Sequence, residues 1–214
     1  MNSTVMGVPK AGLPEGFVYI DELIEDAIID VKYWGTDNLF GRQMAGYEQH
    51  LIIMSNEAAE GCVKAAEMLR KQGYLMKIFD AFRPQRAVDD FIEWGKELEN
   101  QRRKLIHYPN VVKAEMFDLG YIARRSGHSR GSSVDLTIVD ANTWQELDMG
   151  SCFDFMDVRS HIVTDLISEQ QEKNRRILRD AMVANGFVTY ECEWWHFNLK
   201  TEPYPDTYFD FPIR

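Results

Sequence analysis

With 214 residues, 45% of them hydrophobic and 27% charged, the chain has the composition of an ordinary folded protein and enough length for a sizeable core. Its formal net charge of −10 argues against nucleic acid as a main partner, because phosphate binding needs clustered Lys and Arg. The three cysteines, Cys62, Cys152 and Cys192, are an odd number without close CxxC spacing, which argues against both a disulfide scaffold and a structural zinc site.

No stretch reaches the ~20 apolar residues that a bilayer crossing needs, so no membrane partner is expected. Residues 1–15 hold one Lys and two prolines and no apolar leader core, which makes a cytoplasmic setting the expectation. Arg124-Arg125 and Arg175-Arg176 read as short, solvated basic pairs.

Taken in chain order, residues 1–16, with Pro9, Gly12, Pro14 and Gly16, read as a loose arm preceding a single domain over 17–214. Phe17 to Leu23 suits a strand and a turn, and Ile28 to Trp34 is a second apolar run of strand length. A helix is expected from Ser55-Asn56 to Gly73, with Cys62, Ala65, Ala66 and Leu69 on its inner face. Tyr74 to Phe79 then reads as a buried strand. Pro84 fits the first turn of a helix that carries Val88, Phe91, Ile92 and Leu98 inward and runs to about Lys104.

Residues 106–126 carry no clear pattern. Ser133 to Asp140 reads as a strand with Val134, Leu136 and Ile138 on one face and Asp135 and Thr137 on the other. A helix over about Asp165 to Asn185 and strands over Phe187–Glu191 and Trp194–Leu199 follow, and the aromatic, proline-rich tail is expected on the surface. Helices and strands mix without a βαβ rhythm, so the expected class is α+β, a mainly antiparallel sheet flanked by helices. No Gly-rich phosphate loop is present, and no nucleotide cofactor is indicated.

The chemistry concentrates in two stretches, Ser126-Gly127-His128-Ser129-Arg130-Gly131-Ser132-Ser133-Val134-Asp135 and Glu193-Trp194-Trp195-His196. Two imidazoles, a carboxylate and a spare carboxylate are what a catalytic zinc needs, since one metal position must stay open. An unpaired Asp135 on a core strand would cost several kcal/mol, so it is paired, hydrogen-bonded or metal-bound. Glu193 and His196, three apart, would face opposite sides of an ideal strand, so a shared site requires a bulge between them. Arg83, between a buried strand and a helix, reads equally as a salt-bridge partner of Asp80 or Asp89 and as a cation for a developing oxyanion. His50, His107 and His161 read as ordinary polar residues, with His161 an alternative ligand. Cys192 as a nucleophile would need a histidine that is better explained as a ligand.

These motifs, with Val31-Lys32-Tyr33, Asp80-Ala81-Phe82-Arg83-Pro84, Phe153-Asp154-Phe155-Met156 and Tyr204-Pro205-Asp206-Thr207-Tyr208-Phe209, resemble the zinc D-alanyl-D-alanine dipeptidases of the vancomycin-resistance type, in the right order from about residue 17 onward. The resemblance implies a fold like that of the D-Ala-D-Ala carboxypeptidases and the hedgehog-like zinc domains. It implies one Zn2+ per chain on His128, Asp135 and His196, Glu193 as catalytic base and Arg83 on the transition state. Asp154, Tyr33 and Ser126 would line a small dipeptide pocket. Gly127 departs from the family, where a second serine stands, so no side-chain bond to substrate is expected there, and the pocket is expected to be looser or wider. The rival readings are a carboxypeptidase acting on cell-wall peptides and a zinc-binding domain without catalysis. Self-association stays open, as does the biological role: antibiotic resistance, cell-wall recycling or dipeptide scavenging.

Overall fold

The structure, a computed structural model, describes Lys10 and residues 12–214. The first part of the expected entry arm therefore lies outside the described residues. Strands β1 (Phe17–Tyr19), β2 (Ile28–Ile29) and β3 (Ile53–Ser55) precede helix α1 (Asn56–Arg70) and strand β4 (Tyr74–Asp80). Helices α2 (Gln85–Lys96) and α3 (Lys104–His107) lead to β5 (Ser133–Asp140), and α4 (Glu169–Ala184), β6 (Phe187–Tyr190) and β7 (Glu193–Leu199) complete the order.

The main sheet has the order β2-β4-β5-β7-β6, antiparallel except for the β2–β4 pair. This is the α+β architecture that the sequence pattern implied. One side of the sheet is covered by α1 and α4, whose Ala58, Cys62, Ala65, Leu69, Leu178 and Met182 are buried. β5 is buried from Ser133 to Val139, as befits a strand in the middle of the sheet. β1 and β3 form a separate antiparallel pair.

Several elements differ from expectation for identifiable reasons. Only Ile28–Ile29 of the run to Trp34 forms a strand. Beyond it Val31 donates its N–H to His50, and Tyr33 turns into a cluster of rings with Phe40, Tyr47 and Phe91. β3 is three residues long, too short to show alternation. α2 ends at Lys96 because the Glu97 and Asn100 carbonyls accept the buried Lys113 ammonium, which also lies 3.7 Å from the Trp94 ring centre. Trp94, not the exposed Leu98, therefore fills the inner face. α4 starts at Glu169, where Ser168 and Gln171 form a reciprocal capping box. The tail is not simply superficial: Phe211 stacks on Phe82 at 4.1 Å, Phe209 packs edge-on against Phe17, and Ile213 is buried. Arg175, read as solvated, is also buried.

Candidate active site

Backbone register sets up the centre of the site. Asp135 of β5 and His196 of β7 are direct cross-strand partners, so their side chains share one face of the sheet. His128 reaches the same point from a short 3-10 turn over Gly127–Arg130. The Ser126 hydroxyl caps that turn by accepting the His128 N–H, and Gly131 closes it at φ +78°. A side chain at Gly131 would be strained by its φ and would strike the Phe17 ring, with Cβ at 2.4 Å.

Two bulges bring in the remaining groups. β4 slips by one residue between Ile78 and Asp80, which places Asp80 opposite Asp135 and on its face. On β7, Phe197 pairs with Thr189 while Glu193 pairs with the next residue, Tyr190. The bend required between Glu193 and His196 is present, and the Glu193 carboxylate stands 3.8 Å from His196 Nδ1.

The three donor groups converge closely. His128 Nε2 and His196 Nδ1 are 3.1 Å apart, and Asp135 lies 3.2 Å from the first and 2.9 Å from the second. Outer contacts identify the ring tautomers. A carbonyl can only accept, so His128 donates Nδ1–H to Ala81 O at 2.6 Å and turns the lone pair of Nε2 inward. His196 donates Nε2–H to the Asn198 amide oxygen at 3.1 Å, which leaves a lone pair on Nδ1. Two lone pairs and a carboxylate thus face one point without a hydrogen between the rings. Tetrahedral zinc with bonds of about 2.0–2.1 Å needs donors ~3.3 Å apart, and this N2O set fits it.

Arg83 is gripped on every side. Its Nε and Nη2 donate to Asp80 Oδ2 at 2.9 and 2.8 Å, and Nη2 lies 3.4 Å from Asp135. Its guanidinium carbon sits 4.9 Å from the Tyr33 ring centre and 4.7 Å from that of Phe91, two adjoining rings whose proximity favours a cation. The Tyr47 hydroxyl donates to the other oxygen of Asp80 at 2.7 Å. The salt bridge foreseen with Asp80 exists, and it aims the guanidinium into the site. Asp80 and Tyr47 were missed as site residues because their roles depend on the β4 bulge.

Asp154 adopts a left-handed conformation, φ +57°, that Asp tolerates better than most residues. It is buried and accepts the Tyr33 hydroxyl at 2.9 Å. Its loop is held by Arg175, which donates to the carbonyls of Met149, Arg159 and His161. His161 contacts Tyr121 rather than the three-donor cluster.

Burial dominates the ionisation of the site. It drives the Asp154 carboxyl well above the usual range, with Asp135 and Glu193 adding to the effect. Burial also lifts Glu193, further raised by Asp135 and partly opposed by His196 and Arg83, to about 7. Asp135 goes the other way: burial resists its ionisation, but the neighbouring His128 and His196 imidazoles hold its carboxyl below the ordinary range. Burial lowers His128.

Tyr33, Arg83, Ser126, His128, Asp135, Asp154, Glu193 and His196 all line one cavity of about 450 Å3. A neighbouring cavity of about 520 Å3, bordered by Phe79, Thr137 and Trp194, contains none of them. Gly127 also lines the first cavity, and a Cβ there would meet Ser133 Oγ and Asn198 Oδ1.

Residues 14–214 match the family model described as D-ala-D-ala dipeptidase, within peptidase family M15. The chain is 44% identical over 199 residues to a D-alanyl-D-alanine dipeptidase of Enterococcus faecium, covering 93% of this chain and 98% of that one. It is 45% identical over 197 residues to one of Streptomyces coelicolor (92% and 98%), and 31% over 184 residues to one of Escherichia coli (86% and 84%). A vancomycin-resistance D,D-pentapeptidase, VanY, solved with Zn(II), overlays with a TM-score of 0.43 at 12% identity, covering 76% of this chain and 81% of that one. The chain belongs to the D-ala-D-ala dipeptidase family of metallopeptidases.

Proposed function

We propose that this protein is a zinc-dependent dipeptidase that cleaves D-alanyl-D-alanine, with one ion per chain held by His128, Asp135 and His196. The observation that carries the reading is the pair of inward lone pairs beside Asp135, with the Glu193 carboxylate 3.8 Å from His196 Nδ1. Zinc at this point supplies a Lewis acid and brings the pKa of water from 15.7 toward about 7.

The side chains supply the rest. Glu193, with a pKa near neutrality, takes the proton of the attacking water and returns it to the leaving amine. Arg83, held by Asp80 and packed beside two rings, shares the negative charge that grows on the attacked carbonyl. The ammonium of a free dipeptide pairs with Asp154, whose orientation Tyr33 holds. The Ser126 turn lies along the same cavity and receives the substrate's other end. A cavity of about 450 Å3 suits a dipeptide, and a longer peptide would bring an amide in place of the ammonium to Asp154. Among the described residues no helix is long and apolar enough to cross a membrane, and we place the activity in the cytoplasm.

The test is a hydrolysis panel of D-Ala-D-Ala, L-Ala-L-Ala, mixed dipeptides and a pentapeptide ending in D-Ala-D-Ala, with metal content measured alongside. The free D,D-dipeptide should be cleaved fastest, and chelation should stop cleavage until zinc is restored. Preference for the pentapeptide would make the protein a carboxypeptidase. Turnover indifferent to chelators would end the metal reading.

A further inference from the structure

The Cβ that Gly127 lacks would stand 2.5 Å from Ser133 Oγ and 2.9 Å from Asn198 Oδ1. Those two atoms are bonded to each other, Ser133 donating its hydroxyl to the amide oxygen at 2.6 Å. The same oxygen accepts Nε2–H of His196 at 3.1 Å. Ser133 and Asn198 are cross-strand partners on β5 and β7, so the sheet itself fixes their separation.

We propose that Asn198 is a positioning residue for metal binding. Its Oδ1 keeps the His196 hydrogen on Nε2 and so directs the Nδ1 lone pair toward His128 and Asp135. Ser133 steadies the amide, and the bare backbone at Gly127 leaves room for the pair. The inference rests on the zinc reading given above.

The tautomer is the reason such a residue is needed. A neutral imidazole with its hydrogen on Nδ1 has no lone pair to offer on the inner side. His128 has its tautomer set by the Ala81 carbonyl, a backbone group that every side-chain substitution leaves in place. His196 depends instead on a side chain, and that side chain could rotate. An amide turned over would present NH2 to Nε2 and favour the wrong tautomer. The Ser133 hydroxyl, donating to Oδ1, works against that rotation. Groups that hold a ligating histidine from behind typically change metal affinity or activity by about 10- to 100-fold when removed.

The experiment measures zinc dissociation constants of the full chain by chelator competition, with the Tm of the metal-free protein as a folding control. Asn198→Leu, similar in size but unable to accept, should weaken zinc about 10- to 100-fold. Asn198→Asp, which can only accept, should stay within a few-fold of the native protein. Nitrogen NMR of His196 in the zinc-loaded native protein should show Nε2 protonated. Native affinity in the Leu variant, equal losses in Leu and Asp variants, or a protonated Nδ1 would each overturn the proposal. Should Asn198→Leu fail to fold, Gly127→Ala decides. Its Cβ should displace the pair and weaken zinc, and adding Ser133→Ala should regain part of the loss. A Gly127→Ala protein of native affinity, or no regain, overturns the proposal. Zinc that binds unchanged after His196→Ala would instead locate the ion elsewhere, removing the zinc reading and this inference together.

Discussion

Replacing Asp154 with Asn tests how the substrate is recognised. The carboxylate is buried, accepts the Tyr33 hydroxyl at 2.9 Å, and has its pKa raised by burial, by Asp135 and by Glu193. At an effective dielectric of about 20, a substrate ammonium ~4 Å away would be attracted by about 4 kcal/mol. Desolvation of both partners takes back part of that, and hydrogen bonds to charged groups contribute about 1.5–3 kcal/mol net. At tenfold per 1.4 kcal/mol, Asp154→Asn should lower kcat/KM for D-Ala-D-Ala by about 10- to 100-fold. The assay compares D-Ala-D-Ala with N-acetyl-D-Ala-D-Ala: the native enzyme should prefer the free amine, and the variant should lose that preference. Stability should move oppositely. A carboxyl whose folded pKa lies above its unfolded value penalises the fold as pH rises from about 4 through the folded pKa. The neutral Asn escapes this penalty, so the Tm of the variant at pH 7 should equal or exceed that of the native protein. An intact preference for the free amine, or a less stable variant at pH 7, would refute the reasoning.

Glu193→Gln should retain zinc, because the proposed ligand set does not include Glu193, and lose about 10²–10⁴ in kcat; metal content and turnover measured together check this. Glu193 must be ionised to accept a proton, and its carboxyl is raised to about 7 without metal. A nearby zinc charge pulls it lower, so kcat/KM should fall on the acid side with a pKa no higher than about 7; a limb above 8 would implicate another group. Arg83→Lys keeps a positive charge beside Asp80 and Asp135 but loses the planar fork, so kcat should drop about 10²–10³ with zinc content unchanged. A zinc-free Lys variant would make Arg83 a prop for the ligands instead. Arg175→Leu removes three bonds to loop carbonyls, and at about 1 kcal/mol each should cost ~2–4 kcal/mol. It should also speed hydrogen exchange over residues 149–161, and native exchange rates there would count against the anchoring role.

Much of the candidate site is legible in the sequence, and the reasons are local. Asp135 on an otherwise apolar strand and His196 behind two tryptophans are anomalies that burial makes expensive, and strands β5 and β7 then set them side by side. The ordered likeness along the chain supplied Arg83, Asp154 and Tyr33. What escaped were groups whose importance comes from register. Asp80 reads from the sequence only as a salt-bridge candidate for Arg83, and it is the β4 slip that puts it opposite Asp135. Asn198 alternates with His196 along β7, and no pattern tells a supporting amide from a solvated one. Arg175 belongs to a charged run on a helix, and only the fold of the 149–161 loop reveals three carbonyls waiting for it. Secondary structure failed in the same places: at Ile28–Trp34 and after Lys96, distant partners overruled local preference.

The loop that Arg175 anchors has an implication for how this protein can change. Asp135, His196 and Glu193 hang from the ladder of neighbouring strands and His128 from the turn before it, whereas Asp154, the proposed partner of the incoming amine, arrives on an irregular segment to which one guanidinium gives three bonds. Under the proposed function, bond breaking and substrate choice thus rest on different supports, joined where Trp194 donates to Ser151 and Ile162 donates to the Glu191 carbonyl. A graft exchanging that segment alone would alter the enzyme's diet while leaving its hydrolytic engine in place.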